Sequence, residues 1–182
     1  MKATTNGRLN NVPDCFITIP QASSTHTIQM RSLPEIGDSK QATYNQENII
    51  GRSFPIYTYS HSGDRSITMQ VHFFIIEEQD AERNLQDLRA IQSAVYPRPG
   101  ADGAPYMPPV ICQLRCGALL AKQEVVCAVL QSYSVKFPTE VAWYEGGAGN
   151  YCPYRFDVDT QWLTVYTSSA LPYQDRIFQM GV

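Results

Sequence analysis

The stretch Ile67-Thr68-Met69-Gln70-Val71-His72-Phe73-Phe74-Ile75-Ile76 decides the fold class, together with the segment that follows it to Tyr96-Pro97. Apolar and polar residues alternate, so that Ile67, Met69, Val71, Phe73 and Ile75 share one face, the period of a strand covering a core. The next segment changes period. Leu85, Leu88 and Ile91 recur at intervals of three and Val95 follows four later, which predicts one amphipathic helix. Glu77, Glu78, Asp80 and Glu82 crowd its start, where the helix dipole favours negative charge, and are expected to form a solvated cap. Pro97 and Pro99 end it. A single helix in a β-rich chain is the signature of an α+β protein, mainly β.

Working outward, Pro99 to Pro105 can only be a loop, and Pro108-Pro109 leads into a strand with Val110, Cys112, Leu114 and Cys116 on one face. A longer strand begins at Cys127, with Cys127, Val129, Tyr133, Val135 and Phe137 expected to alternate against Ala128, Ser132, Ser134 and Lys136. The run from Glu145 to Asn150 reads as a flexible glycine loop. In the last strand Tyr154, Phe156, Val158 and Trp162 oppose Arg155, Asp157, Asp159 and Gln161, and a shift of phase to Leu163 and Val165 suggests a β-bulge there. Upstream, Ile49 to Tyr57 reads as an extended entry and Ser62-Gly63-Asp64 as a turn. Residues 1–45 are rich in Thr, Ser, Asn and Gln, with one short strand at Cys15 to Pro20; they are expected to form an extended polar arm, and 46–182 the folded β domain.

Composition narrows function. The chain has 182 residues and a formal net charge of −3, which gives no basic face for gripping phosphates. No apolar run approaches the roughly 20 residues that span a bilayer. Met1 to Asn6 has no apolar segment behind its lysine, which predicts no cleaved signal peptide. The five cysteines, Cys15, Cys112, Cys116, Cys127 and Cys152, lack a disulfide-framework spacing and read as small core residues of a reduced compartment.

Catalytic and metal motifs are weak. His26, His61 and His72 fall in the arm, a turn and a strand, without metalloprotease spacing. His72 alternates away from Val71 and Phe73, as a surface or hydrogen-bonded sheet histidine would. Gly146 to Gly149 lacks the Lys-Ser/Thr of a phosphate loop. The reading is a non-enzymatic building block with no cofactor and no metal.

The order of elements carries a resemblance. The run Asn48 to Pro55, then Asp64-Arg65-Ser66-Ile67, the Phe73-Phe74 strand, the helix ending Ser93-Ala94-Val95-Tyr96-Pro97, the strand Val129 to Phe137 and the alternating Tyr154 to Val158 resemble the tube-fold proteins of contractile phage tails, in particular the tail-tube initiator or tube-to-baseplate adaptor proteins. The resemblance spans roughly 48–178. It implies a β-sandwich or half-barrel flanked by one helix, six copies of which close a ring around a DNA channel between baseplate hub and tail tube. The implied partners are copies of itself, hub and tube proteins and the sheath. The implied location is the virion tail, assembled in the host cytoplasm, with DNA passing unbound and no membrane.

Under that expectation the subunit contacts are sought in the arm at Phe16, Ile17 and Ile19, the entry at Arg52, Phe54 and Tyr57, and the loop at Tyr106, because arms and loops carry recognition on a rigid sheet. Arg65 and Arg155 are candidates for charge pairs between subunits. Two readings stand beside it. One is another tail component, such as a major tube subunit or tail terminator. The other is a carbohydrate-binding β-sandwich with Trp143, Tyr144, Tyr151 and Trp162 as a stacking platform.

Overall fold

The computed structural model describes residues 14–21, 24–98, 106–120, 125–146 and 150–165. Among the described residues the chain is mainly β with a single helix, as the alternation predicts. Its strands are β1 (Cys15–Pro20), β2 (Thr25–Gln29), β3 (Glu35–Glu47), β4 (Ile56–Phe74), β5 (Ile111–Cys116), β6 (Val126–Lys136), β7 (Trp143–Gly146), β8 (Asn150–Pro153) and β9 (Arg155–Thr164). The helix, α1 (Glu78–Ala94), follows β4. Seven strands form one antiparallel sheet in the order β2-β1-β5-β6-β9-β4-β3, and β7 and β8 form a separate hairpin.

The first two strands and the third lie at opposite edges of that sheet, yet only residues 30–34 join β2 to β3. Those six Cα steps reach roughly 20 Å at most. Six inter-strand spacings laid flat would need about 29 Å. The sheet therefore curls until its edges approach, and Ile28 to Arg31 line one small cavity together with Val71 to Phe74. The helix crosses the concave side and touches β1, β2, β4, β6 and β7.

The inward face is one continuous core. Ile67, Met69, Val71 and Phe73 of β4 meet Phe156, Val158 and Trp162 of β9, with Leu114, Ile17, Ile19 and Ile28 from the other flank and Leu88 and Ile91 from α1. Register explains the fit. Val71 sits opposite Val158, which sits opposite Val135, and Phe73 stacks on its partner Phe156 with ring centroids 4.9 Å apart.

Several expectations are corrected. Residues 15–47 are not an arm: three strands lie there, and the expected boundary between 45 and 46 falls inside β3. Ser62-Gly63-Asp64 is not a turn but the middle of β4, whose 19 residues extend from Ile56. The reversal comes earlier, between Glu47 and Ile56, where Gly51 takes a left-handed φ of 88°. In β9 the alternation continues through buried Thr160, Trp162 and Thr164 with no change of phase. The bulge is in the partner strand, between Leu130 and Ser132, so Val126, Ala128 and Leu130 face inward and Cys127 and Val129 do not. The expected glycine loop is the β7–β8 hairpin, with 147–149 outside the described residues. The loop at 99–105 also lies outside them.

The helix is rotated from its expected stripe. Leu85 and Val95 are only partly buried, while Ala81, Ala90 and Ala94 pack inward beside Leu88 and Ile91, with three polar residues, Asp80, Asn84 and Asp87. Each polar group has a partner, as burial demands. Arg31 donates to both carboxylate oxygens of Asp80. Asn84 Nδ2 donates to the Phe74 carbonyl at 3.0 Å, and His26 Nε2 lies 2.6 Å from Asp87 Oδ1. Asp80 also accepts from the backbone N–H groups of Ile76 and Glu77, closing a capping box with Glu77. The acidic cluster thus caps the helix as expected, but Asp80 is not solvated. Burial by itself would raise its pKa; Arg31 and the two backbone donors outweigh that and hold it below the ordinary carboxylate value. Asp87 goes the other way, raised by burial that His26, Arg83 and Arg31 only partly offset.

Candidate assembly surface

Antiparallel pairing of β3 with β4 runs from Glu35↔Gln70 to Glu47↔Ile56, but β9 pairs with β4 only from Ser66 onward. Among the described residues, the part of β4 before Ser66 has β3 alone as a strand partner. Residues 40–65 therefore form a two-stranded ribbon that leaves the sheet and bears side chains exposed on both faces. Register shifts between Lys40 and Ala42 and between Thr43 and Tyr44 mark where it departs, since bulges bend and twist a strand. Arg65 anchors its base, bonding both oxygens of Asp38 at 2.8 and 3.1 Å through Nε and the Leu120 carbonyl at 2.9 Å.

The ribbon is rich in exposed apolar groups. Tyr44 and Tyr59 meet edge to face across it, with centroids 5.8 Å apart, and both are more than half exposed. At the tip Ile50 is fully exposed and Phe54 81%, with Ile49 and Tyr57 beside them. An isolated two-stranded hairpin is marginal in water. Each such side chain would contribute about 1.5–3 kcal/mol if fully buried. Apolar groups gathered in solvent on one hairpin are a feature of interaction surfaces.

The structure sorts the predicted contact residues. Arg52, Phe54 and Tyr57 come together, exposed, at the ribbon tip. Tyr106 is exposed elsewhere, beside the Arg98–Met107 bridge. Ile17 and Ile19 are withdrawn, because β1 lies between β2 and β5 and turns both into the core at 0% and 1% exposure; Phe16 faces the other way and is half-buried. Arg65 is engaged with Asp38 inside its own chain. Arg155 reaches Asp157 at 3.4 Å and lies over the Phe74 ring, so it too is paired within the chain.

Tyr44, Tyr59, Ile49 and Ile50 belong to the surface and were not anticipated. Their signal is the β-prone Thr43-Tyr44 and Tyr57-Thr58-Tyr59 flanking a reversal, hidden because neither strand has a buried face. As for the stacking platform, Trp162 is fully buried, its Nε1 donating to Thr160 Oγ1 at 2.8 Å; Trp143 and Tyr151 stay exposed on β7 and β8.

The convex face of the sheet is polar. In one row His72, Asp157 and Lys136 align, in the next Gln70, Asp159 and Ser134, in the third Thr68, Gln161 and Ser132. His72 Nδ1 is 2.6 Å from Asp157 Oδ1, Gln70 Nε2 donates to Asp159 at 2.7 Å, and Lys136 Nζ reaches Asp159 at 2.6 Å. Burial would raise the Asp157 pKa, but His72 and Arg155 outweigh it and bring it down. Asp159 pushes Lys136 up. Thr68, Gln70, Ser132, Ser134, Asp159 and Gln161 of these rows line an open groove on this face. No protein-family model matches the chain, and no curated protein matches it either.

Proposed function

We propose that this chain is a structural subunit that assembles with copies of itself into a ring in a contractile tail, joining the baseplate hub to the tail tube around a DNA channel. The observation that carries the reading is the β3–β4 ribbon, with Tyr44, Tyr57, Tyr59, Ile49, Ile50 and Phe54 in solvent and no cover within the described chain. A curled sheet with β2 at one edge and β3 at the other has two open edges, which a closed ring of copies would pair or cover. The convex polar face and the formal charge of −3 suit a wall past which DNA slides without being held. The ring lies in the virion tail and is put together in the host cytoplasm, without cofactor or catalysis.

Two experiments test this. Replacing residues 48–55 by Asn-Gly shortens the hairpin with a turn suited to two-residue loops. The shortened protein is expected to unfold at the same urea concentration as the parent and to be absent from assembled particles; Arg52→Glu should fold normally and assemble less. Interrupting the gene should leave tail-less heads or free hubs in negative-stain micrographs of the lysate. Complete tails on infective particles would sink the proposal.

A further inference from the structure

β1 and β5 run antiparallel with Cys15 opposite Cys116, their Cα atoms 4.1 Å apart, and the structure joins the two sulfurs in a disulfide. This corrects the expectation that all five cysteines are thiols; Cys112, Cys127 and Cys152 are the free ones, and burial pushes Cys112 up to about 12, which leaves it inert. The pairing was hidden because it depends on strand register and not on spacing.

The position of the bond gives it a role. β1 and β2 form a hairpin at the end of the sheet; among the described residues its strand pairing to the rest runs through β5, where the partners are Cys15↔Cys116, Phe16↔Arg115, Ile17↔Leu114 and Thr18↔Gln113. Its other ties are side-chain contacts: His26 to Asp87 and Arg31 to Asp80 on α1, and Ile17, Ile19 and Ile28 in the shared core. The cystine is the outermost rung of that short ladder. Just beyond it, the Gly117 N–H donates to the Asp14 carbonyl at 2.8 Å, and both Asp14 and Gly117 have positive φ, so the ladder ends there. Ladders open first at their ends. Both sulfurs are buried, at 1% and 2% residue exposure, so a reductant reaches them only when this end frays.

We propose that Cys15–Cys116 is a redox lock that fixes the β1–β2 hairpin to the edge of β5, and that its reduction frees the hairpin to open while the β4–β9 half stays folded. Closure by a disulfide oxidant balances in two exchanges. One cysteine thiolate attacks the oxidant's S–S bond and expels a thiolate; the second then attacks the mixed disulfide and expels the other. The protein gives up two electrons and two protons, and the oxidant becomes two thiols. A reducing cytoplasm runs the sequence backward. Opening would uncover Leu114 and the apolar side of β1 and β2. The lock is a property of the sheet and stands whether or not the chain forms rings.

The test uses the full chain, oxidised with glutathione disulfide or reduced with dithiothreitol. Tryptic digestion of the oxidised protein should yield one linked peptide pair containing Cys15 and Cys116. On reduction, hydrogen exchange should speed up at least tenfold in 15–29 and 111–116 and stay unchanged in β4 and β9. Absence of the linked pair, unchanged exchange, or acceleration spread evenly over the sheet would each overturn the proposal.

Discussion

Replacing Val71 by aspartate is expected to leave no folded protein, with Phe73→Asp behaving alike. Val71 is 2% exposed, in register with Val158 and, one strand further, Val135; Arg31, which lines a small cavity with it, is already engaged by Asp80. The new carboxylate must either stay charged without a partner, at several kcal/mol, or take up a proton and still lack hydrogen bonds. The lost apolar burial adds about 1.5–3 kcal/mol. Whole domains are held by only about 5–15 kcal/mol. The control is Thr68→Asp, three residues earlier on the exposed face of the same strand, expected to cost less than about 1 kcal/mol. Circular dichroism and the soluble fraction of each variant decide it. A folded Val71→Asp protein would mean that the core face of β4 has been misplaced.

The second large effect is expected at Asp80. Its two oxygens serve two nitrogens of Arg31 and the N–H groups of Ile76 and Glu77 at once, so Asp80→Ala strands four donors in a site where the Asp80 side chain is 6% and the Arg31 side chain 20% exposed. Removing one member of a buried pair costs about 3–5 kcal/mol, and a helix cap alone about 1. Urea unfolding should show a loss in that range, and Arg31→Ala together with Asp80→Ala should lose less than the sum of the two. An Asp80→Ala loss under about 1 kcal/mol would mean that Arg31 simply turns to water. The same carboxylate sets a pH dependence. Because its folded pKa lies below the unfolded value, its stabilisation is complete above about pH 4, the ordinary carboxylate range, and is lost as pH falls through the folded pKa; Asp157 acts in the same sense. Asp87, raised by burial, acts oppositely. Acid unfolding of Asp80→Ala should therefore show a shallower slope below pH 4 than that of the parent.

What could be read from the chain alone followed from how each strand is buried. β4 from Ile67, β5 and most of β9 have one wet and one dry face, so their residues alternate and were placed correctly; the helix ends at Ala94, two residues before the expected stop at Tyr96-Pro97. β3 and the outer half of β4 are wet on both faces; Lys40, Thr58 and Ser60 tell nothing about which way a side chain points, and the ribbon passed for an arm and a turn. The helix stripe was misjudged because Asp80, Asn84 and Asp87 are buried by partners at Arg31, Phe74 and His26, distant in sequence. The bulge was assigned to the wrong strand because Leu163 and Val165 suggested it, while the extra residue lies across the ladder near Gln131. Within the candidate surface Arg52, Phe54 and Tyr57 were expected as contacts, but on an extended entry; the reversal that exposes them was expected at Ser62 to Asp64 instead. Ile17 and Ile19 were not separable from that surface until β1 had neighbours on both sides.

The place of β1 in the sheet also sets a timetable for synthesis. Cys116 follows its partner Cys15 by 101 residues, so at roughly 5–20 residues per second the mate of the first strand leaves the ribosome about 5–20 seconds after it. Through that interval the β1–β2 hairpin has no strand to join, and its isoleucines stay open to chaperones or to another nascent chain. Slower elongation lengthens the exposure, so the yield of folded protein should depend on translation speed more steeply than for a sheet built from sequential hairpins.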